Sequence, residues 1–296
     1  MNAANQRIVV GTDGSEPGRA AVRQAAALAD ARGLGLLIVH ALHLEQLSYS
    51  GGLAGPAPWF DDLAAYGRKV LDEAVAEAET TAPGIRVDTA MPQNSPIPFL
   101  LDASESAAML VVGASGKGFF SGMMIGSTAS AVIAHAKCPV LVLRGRKGTT
   151  NYPDGGPVVV GIDGSPVSER ALATAFEEAS RRNASLVAVH AWSDITYDDV
   201  YGMARLVTKW ESIEGDERRL LAERLAGWQE KYPDVVVERV LVRDQPRHAL
   251  LQWSAKAQLV VVGSRGRGGF TGQLLGSVSQ ALSHHAECPV MVVRPS

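Results

Sequence analysis

Two glycine-rich segments hold the residues best suited to binding chemistry, and both follow one plan. Gly113-Ala114-Ser115-Gly116 is followed after nine residues by Gly126-Ser127, and Gly263-Ser264-Arg265-Gly266 after nine residues by Gly276-Ser277. Closely spaced glycines let a backbone approach a ligand with no Cβ in the way, and consecutive N–H groups can then converge on phosphate oxygens. Each Gly-Ser pair falls where a helix should begin, so unpaired N–H groups, the positive dipole end and a serine hydroxyl add to the attraction. Lys117 in the first loop, and Arg265 and Arg267 in the second, put positive charge nearby. Asp13 and Asp163 follow the first apolar run of each copy. They suit hydrogen bonds from ribose hydroxyls, as acidic residues give in other doubly wound sites, or else they cap the next helix. The backbone at Ala41 and Ala191 is placed to read an adenine edge.

Other chemistries lack their residues. There is no Gly-x4-Gly-Lys-Ser/Thr loop, no Gly-x-Gly-x-x-Gly spacing, no Gly-x-Ser-x-Gly elbow and no His-Glu-x-x-His pair. His40 and His190 close apolar runs and read as hydrogen-bonded structural histidines. His284 and His285 are adjacent, so on a helix they point about 100° apart and cannot chelate one metal together. No metal site is expected.

The elements that must position these residues come in two sets. Positions 150 apart match along the chain: Gly11-Thr12-Asp13-Gly14-Ser15 with Gly161-Ile162-Asp163-Gly164-Ser165, His40-Ala41 with His190-Ala191, and Cys138-Pro139-Val140 with Cys288-Pro289-Val290. A chain of 296 residues with this offset reads as a duplicated domain, residues 1–146 and 157–296, joined by a polar, turn-rich linker at 147–156. In the first copy, strands are expected over residues 7–10, 36–40, 86–91, 108–112 and 140–144. Helices are expected from Ser15 to about Arg32, closed by Gly33, and over about 59–80, 95–106 and 127–136. The second copy repeats this order, with an acidic and aromatic stretch (Trp192 to Trp210) replacing the Gly/Pro-rich one at Ser48 to Pro58. Such alternation means an α/β fold, two tandem doubly wound parallel sheets covered by helices. With strand order 3-2-1-4-5, Asp13 and the first glycine loop share the crevice at the switch point, as do Asp163 and the second.

Lys plus Arg number 28 against 31 Asp plus Glu, so no net field draws the chain to nucleic acid or anionic lipid. Residues 1–7 hold no apolar signal core, and no apolar run approaches the roughly 20 residues of a membrane span, so a cytoplasmic protein is expected. The two cysteines read as small buried hydrophobes at strand entrances.

On these residues the chain resembles the universal stress protein family, whose ATP-binding members carry Gly-x2-Gly-x9-Gly-Ser/Thr after strand four. The likeness spans about residues 6–294 and is closest to the tandem two-domain type common in actinobacteria. Ala191-Trp192-Ser193-Asp194 and Val242-Arg243-Asp244-Gln245-Pro246 strengthen it. The resemblance implies one ATP per domain, with Mg²⁺ as an optional companion. In the first domain Gly11, Asp13 and Ala41 would lie at the adenosine. Gly113, Ala114, Ser115, Gly116, Lys117, Gly118, Phe119, Gly126, Ser127, Thr128 and Ala129 would hold ribose and phosphates. In the second the matching residues are Gly161, Asp163, Ala191, Gly263, Ser264, Arg265, Gly266, Arg267, Gly268, Gly269, Gly276, Ser277, Val278 and Ser279. It also implies the 3-2-1-4-5 order, pairing through the last strands, and a homodimer. The implied role is ATP-dependent regulation of stress adaptation and growth through a protein partner, rather than catalysis. The alternatives are a slow ATPase and a scaffold that binds another nucleotide such as cyclic AMP. Phe119-Phe120 in the first loop stands where the second has Gly269-Phe270, so the two sites are expected to differ in affinity.

Overall fold

A computed structural model describes residues 6–44, 57–116, 125–145, 152–192, 210–266 and 274–295, with backbone alone at 57–59, 192 and 210–213. The chain divides into two compact units that part between Asn151 and Tyr152.

The first unit runs β1 (Arg7–Gly11), α1 (Glu16–Asp30), β2 (Gly35–Val39), α2 (Ala57–Thr81), β3 (Val87–Ala90), α3 (Pro96–Ala103), β4 (Met109–Gly113), α4 (Ser127–His135) and β5 (Val140–Leu143). Its strands are parallel in the order β3-β2-β1-β4-β5, with Ile8 opposite both Leu36 and Met109 and Leu110 opposite Val140. This is the expected 3-2-1-4-5 order. The second unit repeats it as β6 (Val158–Gly161), α5 (Pro166–Arg181), β7 (Leu186–Trp192), α6 (Trp210–Lys231), β8 (Val237–Arg243), α7 (Pro246–Ser254), β9 (Leu259–Gly263), α8 (Ser277–His285) and β10 (Val290–Val293). There the parallel order is β8-β7-β6-β9-β10.

Physical reasons for the order are visible strand by strand. The inner strands are unbroken runs of Val, Leu and Ile buried on both faces, as helix-covered parallel strands must be. β3 has no fully buried residue, with Asp88 and Thr89 exposed, and it forms the sheet edge. Helix α1 starts where Ser15 Oγ accepts from Gly18 N, and its buried face is mostly alanine, with Ala20, Ala21, Ala25, Ala26 and Ala29 beside Val22 and Leu28. Gly33, in the left-handed region at φ 63°, ends the turn after it.

The two units cover their sheets with differently sized side chains. Phe176 of α5 is fully buried and stacks on Trp228 of α6 and on Tyr232 just past its end, with ring centroids 6.0 and 5.7 Å away. Lys231 lies over both outer rings. The positions 150 residues earlier are Ala26, Ala78 and Ala82, all buried. Ion pairs then tie the same two helices in each unit, Arg23 of α1 to Glu77 of α2 and Arg224 of α6 to Glu169 of α5. Cys138 and Cys288 are both buried and not joined in a disulfide, and burial pushes the Cys288 thiol up to about 12. No helix among the described residues is long and apolar enough to cross a membrane.

Candidate functional site

Each unit has a cavity at the carboxyl ends of its first and fourth strands. The first is about 430 Å³ and the second about 300 Å³, within the roughly 300–1,000 Å³ of small-ligand pockets. Three features meet at each cavity, and local sequence explains why.

The first is the carboxylate. After β1 the chain turns through Gly14 at φ 76°, a conformation that glycine adopts without a Cβ penalty; Gly164 does the same at 77°. Asp13 Oδ1 accepts from Ser15 N at 3.0 Å and from Ser15 Oγ, and Asp163 Oδ1 accepts from Ser165 N at 2.9 Å. Both aspartates therefore cap the turn into the next helix and also line a cavity. The second feature is the glycine loop. A Cβ on Gly116 would stand 2.4 Å from Asp13 Oδ2, and one on Gly266 would stand 2.4 Å from Asp163 Oδ2. Carboxylate and loop are thus in contact, 103 residues apart in sequence, and a side chain on the glycine would push the carboxylate aside. The third is a helix N-terminus. Gly126 and Gly276 are N-caps in extended conformation with no side-chain cap, so the first-turn N–H groups of α4 and α8 open toward the cavities.

Of the positions singled out in the sequence, Gly11, Asp13, Ala41, Gly113, Ser115, Gly116, Gly126, Ser127, Thr128 and Ala129 line the first cavity. Gly161, Asp163, Ala191, Gly263, Arg265, Gly266, Gly276, Ser277, Val278 and Ser279 line the second. Ala114 and Ser264 stand behind the walls. Their amides bond to the Leu143 and Val293 carbonyls, and their own carbonyls accept from Gly126 N and Gly276 N. Lys117, Gly118, Phe119, Arg267, Gly268 and Gly269 lie outside the described residues.

Sequence reasoning missed the floor and part of the walls. Leu100 and Leu250 lie under Gly11 and Gly161, and Pro96 and Pro246 stand at the cavity edge. All four match at the 150-residue offset, so the repeat held that signal. One wall is built in two ways. In the first unit Thr12 Oγ1 accepts from Gly14 N, and Gly18 beside it has no room for a Cβ, which would come within 2.7 Å of that oxygen. In the second, Ile162 replaces Thr12 and Ser168 replaces Gly18. Ser168 Oγ takes over the same task, accepting from Asp163 N and Gly164 N at 3.3 and 3.2 Å.

The histidines are hydrogen-bonded as expected. His40 Nδ1 lies 2.9 Å from the Thr12 carbonyl and His190 Nδ1 lies 2.7 Å from that of Ile162, so each Nδ1–H donates to strand-end backbone. His190 Nε2 also meets Glu217 of α6 at 2.8 Å. Beside the first site, Arg23 and Arg19 hold the Glu16 carboxyl below its usual range through hydrogen bonds. Chemically, each cavity can seat an anionic group on glycine and helix N–H donors while an aspartate meets hydroxyls.

The description "universal stress protein family" fits a family model that matches residues 4–144 and again 156–294. The chain belongs to the universal stress protein family. A universal stress protein of Mycobacterium tuberculosis is 42% identical over 297 residues, covering 98% of this chain and 96% of that relative. One from Mycolicibacterium smegmatis is also 42% identical and covers 100% of this chain and 99% of its own. Among solved structures, a universal stress protein from Archaeoglobus fulgidus has the same fold, with a TM-score of 0.72 over the full length of both chains at 20% identity.

Proposed function

We propose that each unit of this universal stress protein binds one ATP and that the protein is a regulatory module rather than a turnover catalyst. The observation that carries this is the contact between Asp13 and Gly116, repeated between Asp163 and Gly266. It brings a hydroxyl acceptor, a glycine cradle and a helix N-terminus around one cavity, in a chain whose family supplies the nucleotide expectation. Adenosine would lie along Gly11, Asp13 and Ala41, or Gly161, Asp163 and Ala191. Phosphates would meet the first turns of α4 and α8. Magnesium, where it accompanies ATP, would offset phosphate charge near the same aspartates.

Against high turnover, neither glycine loop holds a histidine or glutamate, the residues most often used to activate a water. The reading extends to a cytoplasmic homodimer whose nucleotide state a protein partner reads, as the family resemblance implies.

The test is the nucleotide released by heat from freshly purified protein, together with melting in added ATP. Two ATP per chain is the expected content. With ATP at 100 times its dissociation constant, each site should gain about 2.7 kcal/mol of stability. Gly126→Asp and Gly276→Asp should each remove one ATP, because an N-cap aspartate suits the helix while its charge occupies the phosphate position. Recovered ADP would favour a slow ATPase, and a larger shift with cyclic AMP would favour the scaffold. No nucleotide and no shift would refute the assignment.

A further inference from the structure

Behind the wall of the second cavity a histidine sits between two acceptors. His190, buried on β7, brings Nδ1 to 2.7 Å from the Ile162 carbonyl and Nε2 to 2.8 Å from Glu217 Oε2 on α6. A carbonyl oxygen only accepts, and so does an ionised carboxylate. Both contacts are hydrogen bonds only when the group holds two protons. Either the ring is protonated on both nitrogens beside a carboxylate, or a neutral ring faces a protonated Glu217. Remove one proton and a single N–H faces two acceptors. The carboxylate is the stronger acceptor, so the remaining proton goes to Nε2 and the Ile162 carbonyl is released.

That carbonyl belongs to the site. Ile162 lines the cavity and leads directly into Asp163, and Ala191, which follows His190, lines it too. The fold does not demand a carboxylate at position 217, because the first unit packs the matching helix with Gly67 there, where a Cβ would come within 2.6 Å of Leu42. Other charged groups stand on the elements around the pair. On α6 Arg218 pairs with Glu214, and Arg224 with Glu169 of α5. On α7, which packs on β7, Arg247 bonds to Gln245 and His248 pairs with Asp244. β8 sets Leu241 opposite His190, with Arg239 and Arg243 two residues to either side on the same face, Arg239 bonded to Gln229. Among the described residues Glu217 is the charged side chain within hydrogen-bond distance of the ring.

We propose that the proton shared by His190 and Glu217 regulates the second site. With two protons on the pair, His190 braces the turn from Ile162 to Asp163 and the site holds ATP tightly. With one, the brace opens and affinity falls. The direction follows from the proton count: the brace is complete at low pH and is lost as pH rises. The inference rests on the nucleotide reading above and deepens it by adding control through pH. His190 and Glu217 act here as positioning residues, since neither touches the ligand.

The experiment measures ATP affinity calorimetrically in the full-length chain carrying Gly126→Asp, which leaves the second site to be read alone. It is run at about pH 5.5 and about pH 8, either side of the ordinary histidine value, with and without Glu217→Gln. Protonation of ATP itself affects both chains alike and cancels in their comparison. A glutamine amide can donate to Nε2, so a neutral ring then keeps its Nδ1 proton on Ile162 at either pH. The Glu217→Gln chain should match its parent at the lower pH. At the higher pH it should bind ATP about fivefold more tightly than the parent, the usual effect of one neutral hydrogen bond. Glu217→Ala, which leaves Nε2 with no acceptor, should show the same advantage and serves if the glutamine variant does not fold. Nitrogen-15 spectra of the His190 ring give a second readout: Nδ1 should carry a proton at the lower pH and lose it at the higher. Equal affinity of parent and variants at the higher pH overturns the inference and leaves nucleotide binding intact, and so does an Nδ1 that keeps its proton there. Failure of the wild-type chain to bind ATP at either pH would remove the nucleotide reading and this inference together.

Discussion

Exchanging the Thr12 and Gly18 pair for the Ile162 and Ser168 pair tests whether the turn under each site is a coupled unit. A Cβ at position 18 would lie 2.7 Å from Thr12 Oγ1 and 2.8 Å from Asp13 Oδ1, closer than real Cβ contacts allow. Gly18→Ser alone must therefore displace both oxygens. Overpacking of this kind costs about 1–3 kcal/mol, and losing the Thr12 bond to Gly14 N adds about 1 kcal/mol. We expect a total near 3 kcal/mol. Thr12→Ile alone removes the partner of Gly14 N and should cost about 1 kcal/mol. Together the changes recreate the arrangement of the second unit, where Ile162, Asp163 and Ser168 already fit and Ser168 Oγ serves Asp163 N and Gly164 N. The double variant should then lie within about 1 kcal/mol of wild type, a coupling of about 3 kcal/mol at the upper end of contacting pairs. Native-state hydrogen exchange on peptides from α1 (Glu16–Asp30) reads the first unit apart from the second. If the double variant loses the sum of the single losses to within about 0.5 kcal/mol, the two positions are independent and the reasoning fails.

Three other outcomes follow from the same geometry. Gly116→Ala places a methyl 2.4 Å from Asp13 Oδ2, so ATP affinity at the first site should fall more than tenfold with little change in melting, and unchanged calorimetric affinity would contradict this. The lowered Glu16 carboxyl contributes stability above the ordinary value of 4.5 that is lost as pH falls through its lower folded value. With a side chain 40% exposed the effect is below about 1 kcal/mol, and Glu16→Gln should flatten the urea midpoint between pH 5 and 3 by about that much; an unchanged acid limb would argue against it. Cys288 is buried with its thiol pushed up to about 12, so it should resist alkylation of the native protein at pH 8 and react on unfolding; rapid native labelling would show the burial to be wrong.

Much of this was legible in the chain because parallel strands buried on both faces read as unbroken apolar runs. Strand ends fell within one or two residues of the expected ones, and Ser15 capped α1 as its type suggests. The sites were legible in part. The glycine spacing and Asp13 pointed to one crevice, yet nothing local says that Gly116 must lack a Cβ because a carboxylate lies against it. That reason exists only once residues 103 apart meet. Ala114 and Ser264 belong to the glycine motif by position, but the ladder bonds to Leu143 and Val293 turn them into the core. Tyr66 and His43 match no motif at all, since a helix face and a left-handed turn bring them to the first cavity. The Thr12-to-Ile162 and Gly18-to-Ser168 exchange was readable by laying the repeats side by side, as two changes that make sense only together.

The set of Ala26, Ala78 and Ala82 against Phe176, Trp228 and Tyr232 bears on how such a duplication persists. Two halves descended from one ancestor invite recombination, which would copy stretches of one over the other and keep them alike. A crossover between α1 and α2 would join the alanine set of one half to the aromatic set of the other. The products would set Ala26 against Trp228 and Tyr232, leaving the space of the Phe176 ring unfilled, or press Phe176 onto Ala78 and Ala82 where two rings stood before. Each mixed product loses packing, so selection removes it. The helix pair therefore travels as an indivisible block, and the halves of this gene stay free to diverge.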